Sequence, residues 1–242
     1  MSSRASLTEA VSLLRDRPVL FLPRLVIVFL MSIVWLWIAD IMQALPTVQI
    51  TEIAQIGLVM LVLLPIQLLV YNFYFFVVRQ HYQDQIDIRT AWEQSIDRLP
   101  RAGLLFLFMI SVITLVSLPS IVLVILGIDQ QLPQYLYMGG ASFVLLMLIA
   151  ATVLYFTPYT VITQENGFIA SLKDGITQSR RHSPIVFGFT LLSFLLLGAV
   201  AVLEGQIETI GMIGFIGARL LNGIVSVYLL IINPTLFHDL QN

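Results

Sequence analysis

The stretch SRRHSPIVFGFTLLSFLLLGAV, residues 179–200, decides the fold of this chain. It begins with two arginines and a histidine, turns at Pro184, and then continues with apolar residues almost without interruption. Such a join is typical of a surface segment that ends where a transmembrane helix enters the bilayer, because arginine stays at the headgroups and proline ends the preceding helix. Two earlier stretches of the chain have the same order of residues.

The composition indicates that the whole chain belongs in a membrane. Of its 242 residues, 58% are hydrophobic and only 11% are charged, and the mean hydropathy is +0.94. Soluble domains rarely combine such values. The absence of cysteine excludes disulfides, thiolate metal sites and a cysteine nucleophile. The net charge of −2 and the scattered basic residues argue against a nucleic-acid partner.

Six stretches are long and apolar enough to cross the bilayer as helices. A spanning helix needs about 20 apolar residues, whereas barrel strands would appear as alternating segments of about ten. The sequence therefore predicts an all-α, polytopic integral membrane protein with six transmembrane helices in three hairpins, each preceded by a cytoplasmic amphipathic helix. The six spans are predicted at about residues 20–44, 56–78, 104–128, 136–162, 185–203 and 210–237.

Basic residues lie almost entirely on one side of these spans. Eleven of the twelve precede or open span one, or lie between spans two and three or between spans four and five. Because Lys and Arg accumulate in short cytoplasmic loops, both termini are predicted to be cytoplasmic. This topology fits the plasma (inner) membrane of a prokaryote. The exception, Arg219, lies inside span six.

The three basic segments predict an internal repeat. Each consists of a helix-compatible stretch, then arginine, then proline, then a span, and Pro18, Pro100 and Pro184 are separated by 82 and 84 residues. Spans two, four and six also end in related polar insertions, VYNFYFF, LYFTPYT and IINPTLF. We interpret residues 1–242 as a single membrane domain with a pseudo-threefold repeat. The copies cover about residues 5–80, 86–163 and 168–240. The alternative is that cytoplasmic loops resemble one another in any membrane protein.

The segments before spans one, three and five have the spacing of amphipathic helices. In the first, Ser6 and Glu9 have the spacing of a capping box, and Leu7, Val11 and Leu14 share one face. Such helices favour an interfacial position, where basic side chains meet anionic headgroups and tryptophan suits the headgroup level. The predicted interfacial contacts are Arg15, Arg17, Trp92, Arg98, Arg101, Arg180 and Arg181.

Polar side chains recur within spans two and six. A cation inside a span costs several kcal/mol unless it pairs, faces water or reaches the headgroups, which makes Arg219 the strongest single signal. One interpretation is a polar path for a solute or an ion. The other is that Arg219 reaches Glu204, Glu208 or headgroups, while the amides join helices by hydrogen bonds. The predicted polar intramembrane cluster consists of Gln67, Asn72, Arg219, Asn222 and Asn233.

Four prolines fall within the predicted spans. Breaks in helices build midplane binding sites in some transporters, which gives one interpretation. Ordinary kinks, compensated by neighbouring helices, give the other. The prolines are Pro65, Pro119, Pro158 and Pro234.

No arrangement of residues in the sequence predicts an enzyme. The histidines His81, His182 and His238 have no second histidine at ligand spacing, and there is no glycine-rich phosphate loop or serine elbow. We therefore predict no catalytic residue, no metal site and no cofactor.

The run FTPYTVITQENGFIASLKDGITQS, residues 156–179, carries a family resemblance. It resembles the YciC-like family of uncharacterised bacterial inner-membrane proteins and is similar to the membrane domain fused to some glycerophosphodiester phosphodiesterases. The resemblance implies a six-helix inner-membrane protein without an established activity, and it carries over no catalytic residue. The matching positions are Pro158, Glu165, Gly167, Ala170 and Ser171.

Two functions follow as expectations. The first is a non-catalytic membrane scaffold or accessory subunit that contacts lipid headgroups through its interfacial helices. Its partners would be the bilayer and a membrane protein or a second copy of the chain. The alternative is a small-solute or ion transporter or channel with a polar path along spans two and six.

Overall fold

The computed structural model describes residues 3–43, 50–129, 132–207 and 211–241. Over these residues the regular structure consists of ten α-helices and a short 3-10 turn, Pro18–Leu20, with no strand. The predicted all-α fold is confirmed. The helices are α1 (Ser3–Asp16), α2 (Phe21–Gln43), α3 (Ile50–His81), α4 (Ile88–Asp97), α5 (Leu99–Asp129), α6 (Pro133–Val153), α7 (Thr157–Thr163), α8 (Phe168–Arg181), α9 (Ser183–Ile207) and α10 (Met212–Gln241).

Six segments of the described chain are long and apolar enough to cross a membrane, as predicted. The short helices α1, α4 and α8 directly precede spans one, three and five. The chain is therefore a multi-pass membrane protein. The spans are Pro18–Ile38, Leu61–His81, Leu99–Asp129, Pro133–Thr163, Ser183–Ile207 and Met212–Gln241.

The four span prolines differ in their effect on the helices. Three of them, Pro65, Pro119 and Pro234, lie inside the continuous helices α3, α5 and α10. Pro158 instead lies in the first turn of α7, after a turn at residues 154–156 has interrupted span four. Proline suits this position because the first-turn N–H of a helix has no helical partner. At the interruption, the backbone N–H of Phe156 donates to Ser179 Oγ at 3.1 Å.

The chain divides into two compact units, Met1–Leu99 with Leu195–Asn242, and Pro100–Phe194. In the first, α1 and α2 pack on α10, α4 packs on α3, and Tyr74 Oη donates to the Leu20 carbonyl at 2.6 Å. In the second, α8 packs on α7, and α6 approaches α5 at Gly139, where an added Cβ would lie 2.7 Å from Val124 Cγ2. The single membrane domain and its threefold repeat stay predictions.

Candidate functional site

Each short helix contacts the end of a span through small, buried residues spaced four positions apart. Helix α1 lies on α10, α4 lies on α3, and α8 lies on α7. Because small side chains let two helix backbones approach closely, we call these three contacts the helix seats. The buried residues are Ser6 and Ala10 on α1, Ala91 and Ser95 on α4, and Ser171, Gly175 and Ser179 on α8.

The seat of α8 leaves no room for a side chain at Gly175. A Cβ added there would lie 2.6 Å from Thr157 Cα and 2.9 Å from Thr157 N. Next to it, Thr160 Oγ1 donates to the Ser171 carbonyl at 2.9 Å. Helices α8 and α7 are therefore held together by close backbone packing at Gly175 and by the hydrogen bond from Thr160 to Ser171.

The seat of α4 uses Asn72, which the sequence placed in the polar intramembrane cluster. Its amide donates to the Ser95 carbonyl at 3.3 Å, and the Asn72 side chain is buried. One residue along α3, the ring of Phe73 stacks on the Trp92 indole with a centroid separation of 4.4 Å. The half-buried Trp92 thus contributes to the seat through a protein contact.

The seat of α1 is closed by a polar cluster that the sequence did not predict, and we call it the Tyr82 clasp. The hydroxyl of Tyr82, just after α3, lies 3.0 Å from Glu9 Oε2 and 3.1 Å from Asp239 Oδ1. Ser6 Oγ donates to Asp239 Oδ2 at 2.5 Å, and His81 Nε2 lies 3.3 Å from Glu9 Oε1. The clasp therefore joins α1 to the ends of spans two and six.

The Tyr82 clasp holds together two helices, α1 and α10, that no short loop connects. Helix α4 follows α3, and α8 follows α7, after loops of a few residues, so the chain itself holds each pair together. Helix α1 and α10 come from opposite ends of the sequence and have no such tether. The hydrogen bonds of Ser6, Glu9, Tyr82 and Asp239 hold this pair together.

The predicted capping box of α1 is wrong. The helix begins at Ser3, so Ser6 lies within it, and both Ser6 and Glu9 direct their side chains to the clasp. The predicted face also differs, since Val11 is 50% exposed while Ala10 and Leu14 are buried. The reason is that both protein and lipid can cover an apolar face of this helix. The face with the small residues Ser6 and Ala10 packs against the protein, whereas Val11 is exposed.

We expect Tyr82→Phe to lower the free energy of unfolding by about 1.5–3 kcal/mol at neutral pH, because it removes the single O–H donor that lies within hydrogen-bond distance of both the Glu9 and the Asp239 carboxylates. Burial, and then the charges of Glu9 and Asp239, raise the pKa of Tyr82 above its ordinary value. The folded protein therefore keeps the phenol proton at pH values where the unfolded chain has lost it. The contribution of the hydroxyl is fully present below about pH 10 and declines above it.

Unfolding by SDS in mixed micelles, measured across this pH range, checks the prediction. The difference between wild type and variant should stay constant up to about pH 9 and shrink above about pH 10. A difference that is absent at neutral pH would show that the clasp does not hold α1.

The remaining residues of the predicted polar intramembrane cluster have different partners. Arg219 lies 3.4 Å from Glu204 Oε1, which confirms one of the partners expected for it; Glu208 lies outside the described residues. Asn222 Oδ1 accepts a hydrogen bond from Ser226 on the same helix. Gln67 and Asn233 are both partly exposed. Asn72 thus bonds to α4, Arg219 contacts Glu204 on α9 and Phe215 on α10, and Asn222 bonds to Ser226 on α10.

The predicted interfacial arginines fall into two groups. Arg15, Arg17, Arg180 and Arg181 are exposed near the C-terminal ends of α1 and α8. Arg98 and Arg101 are partly buried. The guanidinium of Arg101 donates to the Gln164 carbonyl at 2.8 Å, just past the end of α7, where a cation is favourable.

The residues of the predicted family motif surround the loop between α7 and α8. Pro158 opens α7, and Gly167 is the N-cap of α8 with an ordinary φ of −59°. Glu165 is exposed, and its carbonyl is 3.5 Å from Arg101 Nη2. Within the described residues, no group of three His, Asp or Glu side chains is placed to hold a metal ion. No family model, curated protein or solved structure matches the chain.

Proposed function

We propose that this protein is a non-catalytic scaffold or accessory subunit of a prokaryotic inner membrane, with both termini in the cytoplasm. Its three short helices would contact lipid headgroups on the cytoplasmic side. The observation that carries the proposal is the set of helix seats, which fix α4, α8 and α1 at the ends of spans two, four and six, respectively. Surface helices that are each held against a span in this way are a means of binding lipid or a partner.

The exposed side chains of the short helices support an interfacial position. Val11, Ile96 and Ile169 are 50%, 56% and 62% exposed, although each is large and apolar. Exposed cations accompany them on α1 and α8. Apolar and basic groups side by side are the features that hold an amphipathic helix at an anionic membrane surface.

The resemblance to the YciC-like family agrees with this proposal, since it implies an inner-membrane protein without an established activity. It rests on Pro158, Glu165 and Gly167, which surround the seat of α8. A partner protein or a second copy of the chain would lie against the apolar faces of the spans.

The solute-path alternative is less well supported by the contacts of the polar side chains. A path requires these groups to line one cavity, whereas Asn72 bonds to Ser95 on α4, Arg219 pairs with Glu204 on α9, and Asn222 bonds to Ser226 on its own helix. Flux through reconstituted vesicles that falls in the double variant Arg219→Leu/Glu204→Leu, which removes both charges without leaving an unpaired carboxylate, would favour the alternative over the scaffold.

We expect anionic lipid to stabilise the protein. In nanodiscs, replacing part of the phosphatidylcholine by phosphatidylglycerol should raise the melting temperature, because each arginine near an anionic surface contributes about 1 kcal/mol. The rise should shrink in Arg180→Gln/Arg181→Gln. It should persist in Arg89→Gln, whose charge is paired with Glu93 at 3.0 Å. Equal melting temperatures in both lipids, with no partner retained after mild solubilisation of native membranes, would contradict the proposal.

A further inference from the structure

A groove of about 450 Å³ lies in the first unit, where α1 and the start of α2 meet α10. Its walls are apolar and include Leu14 from α1, Phe21 from α2 and Ile224 from α10. The volume falls within the range of about 300–1,000 Å³ that small-ligand sites occupy. Walls of this kind suit a hydrocarbon chain, since a polar ligand would lose its hydration there without gaining hydrogen bonds.

One charged side chain, Arg15, is among the residues that line this groove. It lies in the last turn of α1 and is exposed. No carboxylate is among the lining residues. A ligand that occupies the groove therefore gains most if it combines an apolar chain with a negative charge next to Arg15.

The groove lies beside α10, the helix of span six. Tyr228 and Ile224 line it one helical turn apart, about 6 Å along α10. Both lie on the N-terminal side of Asp239, at which the clasp holds α1. The groove therefore lies beside span six, on the N-terminal side of the clasp, with Arg15 of the short helix α1 among its walls.

A cavity in the second unit gives a useful contrast. It has a similar volume of about 480 Å³ and is lined by residues such as Met109, Phe143 and Met147, with no charged side chain among them. A hydrocarbon chain could enter either space. The groove under α1 differs because it adds a cation to the apolar walls.

We infer that the groove binds one acyl chain of an anionic phospholipid, with the lipid phosphate against Arg15. The inference rests on the proposed function, because it requires α1 to lie at the headgroups. It assigns one specific site to the lipid contact, whereas the proposed function needs only a general attraction of the basic helices to anionic lipid.

Native mass spectrometry of the full-length protein in detergent tests the inference. The probes are dioleoyl phosphatidylglycerol, dioleoyl phosphatidylcholine and glycerol phosphate, which has the headgroup charge without chains. Arg15→Gln should weaken phosphatidylglycerol binding about fivefold and leave phosphatidylcholine unchanged. Ile224→Trp, at a position 48% exposed, should reduce binding of both lipids by filling the groove. Glycerol phosphate should not compete.

Arg89→Gln is the matched control, since it removes one arginine charge away from the groove. Equal effects of Arg15→Gln and Arg89→Gln, competition by glycerol phosphate, or a second protein copy in place of lipid would overturn the inference. If Arg15→Gln has no effect on lipid binding while phosphatidylglycerol still stabilises the protein in nanodiscs, the inferred lipid site in the groove is wrong and the proposed function stands. If lipid charge has no effect on stability but Arg15→Gln selectively weakens binding, the groove binds the lipid as inferred, and the general attraction of the basic helices to anionic lipid is wrong.

Discussion

Arg219→Leu is expected to destabilise the protein by about 3–5 kcal/mol, because it leaves a mostly buried carboxylate without its partner. The side chains of Arg219 and Glu204 are only 18% and 14% exposed, and their closest atoms are 3.4 Å apart. The guanidinium also lies 5.0 Å from the centre of the Phe215 ring. An unpaired acid in span five would have to stay charged among apolar groups or take up a proton, and both are unfavourable.

The double variant Arg219→Leu/Glu204→Leu separates the ion pair from other roles of Arg219. It should recover most of the lost stability, because replacing both charges by apolar groups removes the unpaired carboxylate. Arg89→Leu is the control. Its pair with Glu93 is 88% and 61% exposed, so the expected loss is about 0.5 kcal/mol or less. Unfolding by SDS measures all three variants, and a double variant no more stable than the single one would contradict this account of Arg219.

Gly175→Leu is expected to displace α8 from α7. The new side chain would begin 2.6 Å from Thr157 Cα, and backbone atoms cannot move aside as a flexible side chain can. Overpacking alone costs about 1–3 kcal/mol, and each lost hydrogen bond adds about 0.5–1.5 kcal/mol. The bonds at risk are those from Thr160 Oγ1 to the Ser171 carbonyl and from Phe156 N to Ser179 Oγ.

Limited digestion with trypsin measures whether α8 has left its seat. Cleavage after Lys173, Arg180 and Arg181 should be faster in Gly175→Leu than in wild type. Gly188→Leu in α9 is the matched control, since nothing lies within 4 Å of a Cβ at that position. It should digest like wild type and unfold no more easily, because leucine is a better helix former than glycine. Equal digestion of the two variants would show that the small residues do not hold α8.

The six spans could be predicted because a long apolar run in a membrane protein has few structural alternatives. The hydrogen-bond partners of the polar residues could not be predicted from the sequence. Ser6 and Glu9 have a local spacing that indicates a capping box, yet their partners Asp239 and Tyr82 lie 233 and 73 residues away. The apolar periodicity of α1 likewise identified Val11 as a face residue without showing whether lipid or protein covers that face.

The helix seats could not be predicted from the sequence for a related reason. Serine, glycine and alanine fit any face of a helix, so Ser171 and Gly175 give no periodic signal of burial.

The interfacial position of α1, α4 and α8 on the basic side of the membrane is the central claim. The chain has no native cysteine, so single cysteines at Val11, Ile96 and Ile169 can each be labelled without a background. Attached nitroxide labels should collide with lipid-soluble oxygen at all three positions, and a membrane-impermeant maleimide should block all three from the cytoplasmic side alone. Blocking of any one of them from the opposite side, or collision with water-soluble reagents only, would contradict the account.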